Sequence, residues 1–193
     1  GAGFARGLLE FAVACGADRQ PLLARASLTE EDFAEPDSRI PARSYVALMM
    51  AAKELTGDPA LALHFGQKVE ISKVSIAGAA SRLADTFEQG IIQLNRYVRL
   101  SIEADAPGRG ERFVIENQDD GVWFIDNRLN ANTFPELTES AFAQFCCHSG
   151  RSEHPQGNQL IRAAHVTHDK PHYWEEYERV LGVPVVFGSR HNA

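Results

Sequence analysis

Seven histidines and three cysteines are the side chains of this 193-residue chain best suited to hold a metal or act as nucleophiles. Their spacing argues against most of that chemistry. His165, His168 and His172 lie close together, but in a strand-then-loop reading His165 and His168 are an odd number of residues apart and face opposite ways. Cys146-Cys147-His148 combines thiol and imidazole, the ligands of zinc and haem iron. Neighbours on a helix point about 100° apart, however, and no second ligand pair follows at zinc-finger spacing. A haem, redox or metal sensor there stands as the alternative to a buried apolar cysteine. No G-x-S-x-G elbow, Walker loop, G-x-G-x-x-G or H-E-x-x-H is present. No catalytic residue, cofactor or metal is therefore expected, and the chain reads as a non-enzyme.

Binding chemistry is better represented. Tyr97, Trp123, Phe142 and Phe145 come from three separate elements, and small-molecule pockets are mostly apolar with a few polar groups. Arg96 and Arg99 flank Tyr97 and could pair with a ligand carboxylate, bidentately where geometry allows. His64, on a short apolar helix, either hydrogen-bonds a ligand in a cleft or is satisfied by backbone. Core filling by the aromatics, with the arginines in water, is the competing reading. The candidate ligand-binding residues are Tyr97, Arg96, Trp123, Phe142, Phe145 and His64.

These residues must be positioned by two kinds of element. Up to about residue 100 the apolar residues recur with helical spacing: Phe4, Leu8, Phe11, Ala12 and Cys15, then Tyr45, Leu48, Met49, Ala52 and Leu55 after Pro41 as first helical residue. Gly16, Gly57 and Gly66 stand where helices would end, and Asp58-Pro59 has helix-start chemistry. Asp85-Thr86-Phe87-Glu88 has the form of a capping box opening a helix to about Leu100, with Phe87, Ile91, Leu94 and Val98 as its stripe. Ile92, Tyr97 and Leu100 lie off that stripe, so a second packing neighbour is expected.

The period then changes to two. Ile102 to Ala104, Arg112 to Glu116 and Val122 to Asn127 read as an antiparallel meander, joined by Pro107-Gly108-Arg109-Gly110 and Asn117-Gln118-Asp119-Asp120-Gly121. Trp123 and Ile125 on one face and Val122 and Phe124 on the other imply helices covering both. A helix from Phe134 to His148, a polar loop over 150–157, a strand Leu160 to Val166, a helix Tyr173 to Leu181 and a strand Pro184 to Phe187 complete the pattern. The class is α+β: a helical N-terminal half, an antiparallel β-meander with covering helices and a strand-helix-strand C-terminal unit. Residues 1–193 form one expected domain, helical over about 1–100 and sheet-containing over about 101–193.

Composition limits the partners. With 44% hydrophobic and 23% charged residues the chain is of ordinary globular type. Its net charge of -7 opposes direct grip on a phosphate backbone. Cysteines without a CxxC pair suit a reducing compartment, and no apolar run approaches a membrane span, so a cytoplasmic location without membrane contact is expected.

Three stretches carry a specific likeness. Pro21-Leu22-Leu23-Ala24-Arg25-Ala26 leads through Arg39-Ile40-Pro41 to Glu54-Leu55-Thr56-Gly57-Asp58-Pro59-Ala60-Leu61-Ala62-Leu63. Ile76-Ala77-Gly78-Ala79-Ala80-Ser81 precedes Thr86-Phe87-Glu88-Gln89-Gly90 and Tyr97. Tyr177-Glu178-Arg179-Val180-Leu181-Gly182-Val183-Pro184-Val185-Val186-Phe187-Gly188 is followed by Asn192. In this order they resemble the N-terminal effector-binding, arabinose-binding-like domain of AraC-type transcriptional regulators. Two positions depart: Ser27 stands where the family usually has Gly, and Ala62 where it often has Gly. The resemblance implies a ligand-sensing domain that precedes a helix-turn-helix DNA-binding domain, which nothing up to Ala193 resembles. It also implies the partners: a small-molecule effector, with a carboxylate or amino acid the favoured class, DNA through the C-terminal domain alone, and a second copy of the chain. A dimerisation or protein-interaction module without a small ligand is the alternative.

Overall fold

The computed structural model describes residues 1–35, 38–74, 78–80, 83–84, 86–101, 111–148 and 161–193, without the side chains of residues 71, 87 and 97–101. The class is α+β, with a helical N-terminal half. Two compact units divide the chain: Gly1–Leu61 with Val69–Ala106, and Ala62–Lys68 with Pro107–Ala193.

The first unit is built on helices α1 (Ala2–Ala14), α2 (Arg19–Ala26) and α3 (Ala42–Thr56). Ala5, Leu8, Leu9 and Ala12 of α1, Leu22 of α2, and Leu48, Met49 and Ala52 of α3 have no exposed surface. On each helix they share one face, and a large side chain buried this way contributes about 1.5–3 kcal/mol. Helix α2 ends on Ser27 in the left-handed region at φ 52°, which lets the Leu28 N–H donate to the Leu23 carbonyl at 3.0 Å. A 3-10 turn over Glu30–Phe33 follows, where Asp32 Oδ2 accepts from the Thr29 N–H at 2.7 Å. Pro41 sits one residue earlier than expected, as the N-cap whose carbonyl receives the Ser44 and Tyr45 N–H groups. Gly57 ends α3 at φ 68°, and Asp58 Oδ1 accepts the Ala60 N–H at 3.0 Å.

Helix α4 (Leu61–Lys68) runs through Gly66, where the sequence suggests a stop. The reason is close approach: a Cβ at Gly66 would stand 2.3 Å from the Ser140 carbonyl oxygen and 2.7 Å from the Ala143 Cβ. After α5 (Ile71–Val74), helix α6 (Phe87–Ser101) is capped by Thr86, whose Oγ1 accepts the Gln89 N–H at 3.2 Å. Asp85, half of the expected capping box, lies outside the described residues. Ile91 and Leu94 are buried as expected, but Ile92 is 52% exposed rather than packed on a second neighbour.

In the second unit β1 (Phe113–Gln118) and β2 (Gly121–Asp126) form an antiparallel hairpin closed by Asp119-Asp120, with Gln118 paired to Gly121. The expected first strand of a meander, 102–104, and the loops at 107–110 and 150–157 lie outside the described residues. Helix α7 (Glu136–His148) covers one hairpin face, with Phe145 against Phe113 and Phe124 at 5.4 and 4.4 Å between centroids. On the other face Trp123 meets His165 of β3 (Ala164–His165) at 4.9 Å, where the sequence suggests a covering helix. The predicted strand-helix-strand is present as β3, α8 (Trp174–Leu181) and β4 (Val185–Val186), with β3 and β4 parallel. Both strands are only two residues long. Gly182 ends α8 at φ 72°.

Candidate functional site

Strand β2 ends on Asp126, whose side chain is fully buried and held from three directions. Arg112 reaches Oδ1 at 3.1 Å and Oδ2 at 3.2 Å, Arg128 donates to Oδ2 at 3.3 Å, and the Thr138 hydroxyl donates to Oδ2 at 2.9 Å. Burial alone would raise the carboxyl. The two guanidiniums and Thr138 outweigh it and hold Asp126 below the ordinary carboxylate range. Arg128 in turn donates to the Phe134 carbonyl at 3.2 Å and Arg112 to the Leu137 carbonyl at 3.3 Å, so this network fastens β2 to the start of α7.

Beside it opens a polar cleft of about 520 Å³, within the range of small-molecule sites. The end of β2 and the stretch after it contribute Asp126, Asn127, Arg128, Asn130, Asn132 and Thr133 to its lining, and Thr167, Arg190, His191 and Asn192 come from later in the chain. Ile125 and Ala131 are its apolar members. Asn130 adopts φ 52°, a left-handed turn that asparagine tolerates better than most side chains. The walls are braced: Asn192 Oδ1 accepts the Thr167 N–H at 2.9 Å, its carbonyl accepts the Asp126 N–H at 2.8 Å, and the Thr167 hydroxyl donates to Asn132 Oδ1 at 2.6 Å. Arg190 is exposed and its side chain makes no hydrogen bond or ion pair with any described residue.

A second polar cluster joins α7 to α8. The Tyr173 and Tyr177 hydroxyls donate to Glu139 Oε1 at 2.9 and 2.5 Å, and His168 Nε2 lies 2.8 Å from the Tyr177 oxygen. Burial, then the Glu139 charge, push both phenols above the ordinary tyrosine range, so they act as fixed donors.

The sequence candidates fall in several places. Phe142 is buried in α7, and Phe145 belongs to the Phe113–Phe124 stack. Trp123 lies on the opposite hairpin face, with its Nε1–H donating to Asp120 Oδ1 at 2.8 Å. His64, on α4, is 2.7 Å from Glu176 Oε2 and 2.8 Å from an Arg179 nitrogen. A protonated Nε2 donates to Glu176, and a bare one accepts from Arg179. Arg96 is exposed on α6, while the side chains of Tyr97 and Arg99 lie outside the described residues. Cys146 is buried, which pushes its thiol up to about 12, and the Cys147 thiol donates to the Val180 carbonyl at 3.3 Å. His165, His168 and His172 have separate partners: Ser189, Tyr177 and the Tyr173 ring. Among the described residues no three His, Cys, Asp or Glu are placed to hold a metal, and no helix is long and apolar enough to cross a membrane.

Sequence reasoning missed the cleft. Its only local signal is Asn127, Asn130 and Asn132 directly after a strand; Thr167, Arg190 and Asn192 arrive by long-range pairing. The family model for the arabinose-binding domain of AraC transcription regulator, N-term, matches residues 16–193. No curated protein matches the chain.

Proposed function

Because the chain belongs to the family of N-terminal arabinose-binding domains of AraC transcription regulators, we propose that it senses a small metabolite in the cleft and thereby controls an attached helix-turn-helix domain. The role is regulatory, without catalysis, and cytoplasmic. The observation that carries the reading is the cleft itself: about 520 Å³, braced by hydrogen bonds, with Arg190 exposed at its wall. An exposed guanidinium favours a ligand bearing a carboxylate, either an organic acid or an amino acid. Binding shifts the DNA-binding half only as far as the ligand's affinity differs between its two states.

Thermal-shift screening of metabolites on this chain tests the proposal, with Arg190→Ala, Trp123→Ala, Arg96→Ala and Tyr97→Ala as comparisons. The expected hit stabilises the parent chain and loses most of its shift in Arg190→Ala. A ligand that loses affinity in the Trp123, Arg96 or Tyr97 variants instead relocates the site to the residues favoured from sequence. Homodimerisation is part of the same reading, and sedimentation at tens of micromolar with and without the hit checks it. The buried, protonated Cys146 and the carbonyl-bonded Cys147 give a haem or redox sensor no support.

A further inference from the structure

A ligand in the cleft meets one accessible fixed cation and no accessible carboxylate among the described residues. The cation is Arg190, exposed and without a side-chain partner among those residues, whereas Arg128, which also lines the cleft, is buried and committed to Asp126, Thr138 and the Phe134 carbonyl. The sole carboxylate lining the cleft is Asp126, and its side chain has no exposed surface. Both of its oxygens are already committed, Oδ1 to Arg112 and Oδ2 to Arg112, Arg128 and Thr138. Asp126 therefore cannot receive an ammonium group without dismantling a buried charge network, which is strongly destabilising.

The remaining lining sorts ligands further. Asn127, Asn130, Asn132 and Thr133 offer neutral donors and acceptors, suited to hydroxyls, while Ile125 and Ala131 provide too little apolar wall for an aryl or long alkyl group. An α-ammonium held here would find no free carboxylate and would face the like charge of Arg190. A hydroxyl at the same carbon costs nothing of that kind.

Resting on the sensing role proposed above, we infer that the effector class is the small hydroxy acid: a net anion whose carboxylate pairs with Arg190 and whose hydroxyls bond the asparagine-rich wall. Amino acids bring an ammonium that finds no free carboxylate, and neutral sugars forgo the charge-assisted pair with Arg190. Specificity of this kind is carried by what the site lacks as much as by what it offers.

Isothermal titration of the chain with L-malate, L-tartrate and D-gluconate, against L-aspartate and neutral L-arabinose, tests this. Malate and aspartate differ at one substituent, hydroxyl against ammonium. The expected result is binding of at least one hydroxy acid, at least tenfold tighter than aspartate or arabinose, and weakened at least tenfold in Arg190→Gln. Asn132→Asp places a carboxylate in the wall while keeping an acceptor for the Thr167 hydroxyl. In that variant the malate-to-aspartate preference should narrow or reverse, a change that loss of folding cannot mimic. Aspartate or arabinose binding as tightly as the best hydroxy acid, or indifference to Arg190→Gln, overturns the inference. So does failure of all three acids to bind; a metabolite of another class found by the thermal screen would then leave the sensing role standing, and no hit of any class would remove both.

Discussion

Ser27 is a position where a single side chain and the backbone disagree. It ends α2 at φ 52°, where a Cβ costs about 1–2 kcal/mol relative to glycine. The resemblance already marks this residue as a departure from the usual glycine, and the backbone explains why glycine is usual there. Glycine would return part of the gain through the larger entropy of its unfolded chain, so Ser27→Gly should stabilise the protein by about 0.5–1 kcal/mol net. Ser27→Ala, which keeps the Cβ, should bring no gain. Urea unfolding of the three proteins decides it, and equal midpoints for the parent chain and Ser27→Gly would mean that the turn relaxes without strain. Gly66 poses the opposite case. Its backbone is helical, and what it needs is room, because a Cβ would collide with the Ser140 carbonyl and Ala143. Gly66→Ala should cost about 1–3 kcal/mol as an overpacked contact, against the slight gain that helix propensity alone would give. The direction of the melting-temperature change separates the two.

At the scale of elements, α1 and α3 were legible because each carries its own period and its own stop: α3 begins after Pro41, buries Leu48, Met49 and Ala52, and ends on Gly57, whereas the short α5 has no such signal. The Asp119-Asp120 hairpin turn was legible for the same local reason. The Asp126 network was not, since Arg112, Arg128 and Thr138 come together only when β1, β2 and α7 pack. Helix α4 shows the same limit. Its partners are more than seventy residues away: Gln144 donates to the Gly66 carbonyl at 2.9 Å, His148 to the Gln67 carbonyl at 2.9 Å, and His64 meets Glu176 of α8. Arg179, then His64, hold Glu176 down to about 2. A carboxylate whose value is depressed on folding contributes stability that is fully present above its ordinary value near 4.5 and is lost as pH falls toward about 2. The parent chain should therefore exceed Glu176→Gln by a constant margin above about pH 5, of roughly 0.2–1 kcal/mol for so exposed a pair. Melting curves between about pH 7 and about pH 2.5 should show that margin closing below about pH 4. A margin independent of pH would assign Glu176 a packing role only.

For the whole molecule, the order of the chain and the order of the units differ, and this has a consequence for folding. Residues Ala62–Lys68 group with Pro107–Ala193, although α3 before them and α5 after them belong to the other unit. A cut between a helical half and a sheet-containing half near residue 100 looks natural from the change of period, yet it would strand α4. Residues 107–193 expressed alone would lose the helix into which Ser140 and Ala143 fit, and would leave Gln144 and His148 without their carbonyl acceptors. Leu63 and Phe65, neither with exposed surface, would be lost with it, at about 1.5–3 kcal/mol of burial each. That is a large share of the roughly 5–15 kcal/mol that holds a typical domain together. The expected outcome is a 107–193 fragment without native near-ultraviolet dichroism or dispersed amide resonances, and recovery of both when residues 61–69 are fused to it through a flexible linker. Introducing Gly66→Ala into the fused segment should weaken the recovery, since the helix would then dock against the Ser140 carbonyl and Ala143 at the cost of an overpacked contact. Native spectra from 107–193 alone would show that α4 is dispensable to that unit. The cleft, which lies wholly between Ile125 and Asn192, could then be studied in that fragment by itself.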